Sequence, residues 1–155
     1  MWIRLCAATL VAIHGLPPVV VAQVPNPPAP RLLSATNVRC IFAVLATGTW
    51  TAGVPEATTK PVKLAIAFTS VNTEDGTADA VDDRRKAHIT VRVIGNYLNF
   101  MQVDAYGAIY VTTVFNAETK GGRLLAVHTR HEYTPVQLPG LTSRPEQYYG
   151  DCEVK

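Results

Sequence analysis

The densest run of side chains able to do chemistry is His128-Thr129-Arg130-His131-Glu132-Tyr133. Two imidazoles and a carboxylate could ligate a metal, and a histidine beside a glutamate could act as a general base. Strand geometry works against both. Successive side chains of an extended segment alternate faces, so His128, Arg130 and Glu132 share one face and His131 takes the other. Bringing both imidazoles to one ion would need a bulge, with His88 joining from a neighbouring strand. The spacing favours a cross-strand face of hydrogen bonds and ion pairs over a metal centre. Elsewhere there is no Gly-x-Ser-x-Gly elbow, no phosphate-cradling glycine loop and no His-Glu-x-x-His. No residue is therefore assigned a catalytic role, and neither a metal nor a cofactor is expected.

A second polar segment, Arg144-Pro145-Glu146-Gln147-Tyr148-Tyr149, carries types suited to recognition. Arg144, Glu146, Tyr148 and Tyr149, with the loop from Thr73 to Asp83, could form a protein-interaction surface. They are also suited to pinning a loop against the mouth of a barrel by hydrogen bonds and aromatic packing, and that structural role is the favoured reading.

Both segments sit in a chain dominated by strand patterns. Val62, Leu64, Ile66 and Phe68 occupy alternate positions, as does the apolar set of Ala87 to Val93, the period of a half-buried strand. Tyr97 to Val103, Ala108 to Phe115 and Arg123 to Arg130 follow as further strands, separated by turn chemistry at Gly95-Asn96, Asp104 to Gly107 and Asn116 to Gly122. Such short links make sequential neighbours antiparallel. Arg39 to Thr51 reads as the first strand, with apolar groups on both faces, and a short helix before a strand from Thr47 is its alternative. Gly53 to Lys60 reads as a loop, Thr77 to Val81 as a short strand, Thr134 to Glu146 as an irregular crossing and Gln147 to Val154 as the last strand.

At the other end of the chain, Arg4 precedes the apolar run Leu5 to Ile13, and Val20-Val21-Ala22 offers small residues at the positions a signal peptidase accepts. Residues 1–22 read as a removable export signal; the run is too short and too interrupted by Pro17-Pro18 for a membrane anchor. No other stretch is apolar enough to span. Residues 23–38, with Pro25, Pro27, Pro28 and Pro30, read as an extended, solvated arm, and residues 39–155 as one domain. Export leaves Cys40 and Cys152 as an even pair, most simply a disulfide closing a long loop. A free or metal-binding thiol pair lacks the spacing of zinc ligands.

Fourteen Lys and Arg against twelve Asp and Glu give a nearly balanced charge, which offers nothing to nucleic acid. The one charged run, Asp82 to Lys86, is a processing site, an anionic contact patch or, as its mixed signs favour, a solvated turn. No Asn-x-Ser/Thr sequon occurs.

These elements predict an all-β fold of about seven or eight antiparallel strands, a sandwich or a small up-and-down barrel. The barrel is favoured, because a bond between the first and last strands lies where a barrel has its seam. Gly48-Thr49-Trp50 then resembles the Gly-x-Trp signature of the lipocalin-type secreted barrels. The resemblance implies export, a meander, a disulfide to the C-terminal part, and Trp50 at the closed base with Arg130 packed over it; alternatively, Trp50 simply fills core. The function expected is that of a secreted, non-enzymatic barrel for a small apolar ligand, with Phe68, Tyr97, Met101, Tyr110 and Phe115 as candidate lining residues. The alternative is an extracellular interaction module, an inhibitor or host-directed factor, and a small metal- or His-dependent enzyme is the least favoured. The sequence names neither ligand, partner nor oligomeric state.

Overall fold

The computed structural model describes residues 29–81, 86–134 and 144–155. The export signal, most of the proline arm, Asp82 to Arg85 of the charged run and residues 135–143 of the crossing lie outside them.

Eight antiparallel strands form one closed barrel in chain order. They are β1 (Val38–Thr51), β2 (Val54–Asn72), β3 (Thr77–Val81), β4 (Lys86–Ile94), β5 (Tyr97–Val103), β6 (Ile109–Glu118), β7 (Leu124–His131) and β8 (Glu146–Val154). Closure is made by β1 pairing with β8, and Cys40 lies directly opposite Cys152 in that register, joined to it by a disulfide. The bond therefore staples the seam. No helix among the described residues is long and apolar enough to cross a membrane.

The alternation read from the sequence is what the barrel uses. In β2, Leu64, Ile66 and Phe68 face inward; in β4, Ala87, Ile89, Val91 and Val93; in β5, Leu98 and Phe100. β1 is the exception, and the structure explains its apolar groups on both faces. Its register against both neighbours slips between Phe42 and Val44; against β8 the extra residue lies in β1, and the inward parity of β1 changes there. Phe42 and then Leu45 are buried, whereas Ile41 and Val44 are exposed.

Gly150 sits opposite Phe42 at this bulge. A Cβ there would lie 2.0 Å from the Ile41 carbonyl oxygen and 2.7 Å from the Phe42 Cα. Only glycine lets the two backbones come this close.

Two sequence expectations are corrected at the ends of the barrel. Residues 53–60 are not a loop: Val54 to Lys60 continue β2, paired with β1 up to Thr51↔Val54, and the chain reverses at Ala52-Gly53, both at positive φ (50° and 83°). Two positive φ values are what a two-residue hairpin turn requires. Nor is the arm solvated throughout. Pro30–Leu33 form a short helix, α1, whose Leu32 is completely buried in the core with Ala29 and Ala35. Proline at a first helical position costs no hydrogen bond, so a proline-rich composition does not forbid this turn.

α1 closes the lower end of the barrel. Thr73 Oγ1 donates to the Leu33 carbonyl at 2.6 Å, and Arg31 pairs with Glu118 at 2.5 Å. The Thr36 and Asn37 N–H groups both donate to the Lys155 carbonyl. These contacts bind the segment before β1 to the end of β8 and fix which end of the barrel is shut.

Candidate functional site

Because the register is fixed, inward residues line up in hydrogen-bonded rows that run obliquely round the barrel. One row joins Leu124, Cys152, Cys40 and Ile66 across β7, β8, β1 and β2; the next joins Leu98, Val114, Ala126, Gly150, Phe42 and Leu64. Both are apolar. Above them, Phe100, Thr112, His128, Tyr148 and Leu45 are paired in turn, and above those Gln102, Tyr110, Arg130, Glu146 and Thr47. Polarity therefore rises toward the end opposite α1.

The end of the interior opposite α1 is not filled. A cavity of about 370 Å³ opens there, with Leu64, Ile66, Ile89, Phe68 and Phe100 on its apolar side and Gln102, Tyr110, Thr112, His128, Arg130 and Tyr148 on its polar side. Phe68 and Phe100 stack with centroids 3.8 Å apart and planes 7° from parallel. Both belong also to the filled core, so they separate packed interior from open space. The volume lies in the lower part of the range for small-molecule sites.

His128 is the polar centre of this space. It is 9% exposed, and its Nδ1 lies 2.8 Å from Thr112 Oγ1. Its ring is flanked by Phe42, Tyr110 and Tyr148 at centroid distances of 5.8, 6.4 and 5.7 Å. Burial, and then the nearby Arg130 charge, lower its pKa to about 4, so the imidazole is neutral at physiological pH.

The mouth carries charge already engaged. Arg130 Nε donates to Glu132 at 2.7 Å, a second guanidinium nitrogen donates to the same carboxylate, and Glu146 lies 3.8 Å away. The guanidinium also sits over the Tyr110 ring at 5.7 Å. Tyr148 donates its hydroxyl to Glu146 at 2.6 Å; burial and this bond hold its pKa above the ordinary phenol range. Lys86 pairs with Asp79 at 3.1 Å. Asp104 caps its own turn, accepting from the Tyr106 and Ala108 N–H groups.

The candidate lining set is corrected on this geometry. Phe68 and Tyr110 line the cavity, but Tyr97 and Met101 are exposed and Phe115 pairs edge-on with Tyr97 on the outer wall. β5 is apolar on both faces, so ring size points to the wrong one. In β6, Tyr110 and Phe115 differ in parity and could not both face inward in an unbroken strand. Phe100, Thr112 and His128 are among the lining residues that the lining assignment missed. Alternation from Phe68 could not reach them, since which strand faces which across the interior depends on register.

Of the polar cluster, His128 and Arg130 face inward, Glu132 folds back onto Arg130, and His131 is exposed outside. His88 is exposed, 3.4 Å from Asp79. No three His, Cys, Asp or Glu side chains among the described residues come together as metal ligands. The proposed interaction residues do not share a surface either. Tyr148 lines the cavity and Tyr149 points outward; Arg144 donates to the Thr134 carbonyl and covers the Tyr133 ring at 5.3 Å, and Thr73 lies at the α1 end. Asp82 and Asp83 of that loop are outside the described residues.

Trp50 is 53% exposed, near the hairpin tip at the open end, with its ring edge-on to Tyr133. It is neither at the closed base nor core, and Arg130 does not pack on it.

The chain is thus a closed eight-stranded antiparallel barrel, plugged at one end and hollow at the other. Comparisons with protein-family models, with curated proteins and with solved structures found no match.

Proposed function

We propose that this is a secreted, non-enzymatic β-barrel that takes a small, largely apolar molecule into its interior. The observation that carries the reading is the cavity of about 370 Å³ above the stacked Phe68 and Phe100. An apolar pocket with a few convergent polar groups is the usual form of a ligand site. Two titratable groups in it are tuned away from proton transfer at neutral pH: His128 is a weak base, and Tyr148 is held protonated. General acid–base catalysis works best with pKa values near the working pH.

Export is supported by the seam disulfide, since such bonds persist in oxidising compartments. On this reading the exported chain begins at Gln23, which N-terminal sequencing of the secreted protein would establish.

The test of binding uses N-phenyl-1-naphthylamine, an uncharged probe whose fluorescence rises in apolar surroundings. A saturable rise at one probe per chain supports the reading. No enhancement with folded protein overturns it.

A second reading, an extracellular interaction module, is favoured by one feature. The β1–β2 hairpin extends past the last β1–β8 pair, Thr47↔Glu146, and exposes Trp50 and Val54. That reading expects Trp50→Ser to abolish capture of a partner from the secretion medium, whereas interior binding expects the same variant to titrate the probe like wild type.

A further inference from the structure

Among the described residues, His128 uses only one ring nitrogen. Nδ1 faces Thr112 Oγ1, and Nε2 has no hydrogen-bond partner among the described residues. No described side-chain nitrogen or oxygen is both sealed from solvent-sized space and unpartnered. Nε2 therefore reaches open space, and the open space His128 borders is the cavity. A buried polar side chain thus offers a void lined mainly by carbon a nitrogen that no described residue meets.

Thr112 makes this nitrogen adaptable. If the hydroxyl donates to Nδ1, Nε2 carries the proton and donates; if Nδ1–H donates to the hydroxyl, Nε2 accepts. Either arrangement leaves the ring uncharged. The site can thus meet a hydroxyl or a carbonyl by adopting one tautomer or the other, the ring proton exchanging through solvent and the Thr112 hydroxyl turning to match.

The cavity has no comparable partner for a charge. Its two cations among the described residues, Arg130 and Lys86, are already paired, with Glu132 and Glu146 and with Asp79. A buried anion would also face Asp104 near the mouth, and a buried ammonium would sit beside Arg130. Burying a charge without a dedicated partner is costly.

We propose that the ligand is an uncharged molecule, with a compact apolar body seated above Phe68 and Phe100 and one hydroxyl or carbonyl group hydrogen-bonded to His128 Nε2. The assignment rests on the interior-binding reading above and adds to it the ligand's charge and its anchoring atom. Thr112 acts as a positioning residue for the imidazole.

The experiment displaces bound N-phenyl-1-naphthylamine with four competitors of one skeleton: naphthalene, 2-naphthol, 2-naphthoate and 2-naphthylmethylamine, the last two charged at pH 7. On the proposal, 2-naphthol displaces the probe at about 3- to 10-fold lower concentration than naphthalene, the contribution of one hydrogen bond. Both charged analogues are weaker than 2-naphthol by about 10-fold or more. In His128→Phe and His128→Leu the probe still binds, and the advantage of 2-naphthol over naphthalene disappears. The proposal is overturned if either charged analogue is the best competitor, or if the 2-naphthol advantage survives in both variants. Failure of the probe to bind wild-type protein is a different result; it removes the interior-binding reading and this assignment with it.

Discussion

Phe68 of β2 and Phe100 of β5 meet face to face from opposite walls of the barrel, 3.8 Å apart. Below them the interior is packed down to Leu32 of the plug; above them it is open. One aromatic pair thus sets the boundary between the part of the barrel that holds the fold together and the part available to a guest.

That position makes Phe100 a structural residue first. Phe100→Ala removes a 2%-exposed ring, leaving Phe68 without its partner. The expected loss is about 3–5 kcal/mol, the usual cost of truncating a buried phenylalanine. Urea denaturation at pH 7 measures it, and a loss under about 1 kcal/mol would mean the Phe68–Phe100 boundary is not packed as described.

Acid sensitivity follows from His128. Its folded-state pKa is about 4, below the ordinary 6.5, so between those values the unfolded chain binds the extra proton and the folded chain does not. Stability contributed by this group is therefore complete above about pH 6.5 and falls as pH drops toward 4, by an amount on the order of 3 kcal/mol at most. Urea midpoints at pH 7 and pH 4.5 should diverge more for wild type than for His128→Phe. Equal divergence would place the imidazole in a more solvated setting than the structure gives it.

The seam bond should be worth more than its single pair of sulfurs suggests. Cys40 and Cys152 are separated by 112 positions, and closing a loop that long removes on the order of 4–5 kcal/mol of unfolded-state freedom on the chain-entropy estimate. The double variant Cys40→Ala/Cys152→Ala should keep its β-type circular dichroism and lose a large part of that stability. Non-reducing peptide mapping should recover the two cysteines in one linked pair; two free thiols would contradict the seam.

Gly150 gives a sharper test of the bulge. A methyl group there collides with backbone rather than with a movable side chain. Gly150→Ala should cost about 1–3 kcal/mol through a forced backbone shift. Gly121→Ala is the matched control: an added Cβ meets nothing nearer than Thr119 Oγ1 at 3.8 Å. Equal melting temperatures for the two variants would argue against the close β1–β8 approach.

The strands were legible because alternation in Leu64-Ala65-Ile66-Ala67-Phe68 or Ala87 to Val93 records which face is buried. The seam was legible from two cysteines near the ends of one domain. Three features were hidden for physical reasons. Ala43 looks like any strand residue, yet the bulge around it, seen in the register against β8, reverses the inward parity of β1. Leu32 follows a run of prolines, so composition argued for solvent where tertiary packing supplied a socket. The His128–Thr112–Phe100 belt exists only once β5, β6 and β7 are in register, a relation between distant positions that spacing along one strand does not contain. Tyr97, Met101 and Phe115 were drawn inward by ring size and hydrophobicity, which a strand apolar on both faces does not resolve.

The central claim is that a small apolar guest sits inside the barrel, and isotope-edited nuclear Overhauser spectroscopy of labelled protein with N-phenyl-1-naphthylamine tests it most directly. The account predicts contacts from the probe's ring protons to Ile66, Phe100 and His128. Contacts confined to Tyr97, Met101 and Phe115 on the outer wall would contradict it.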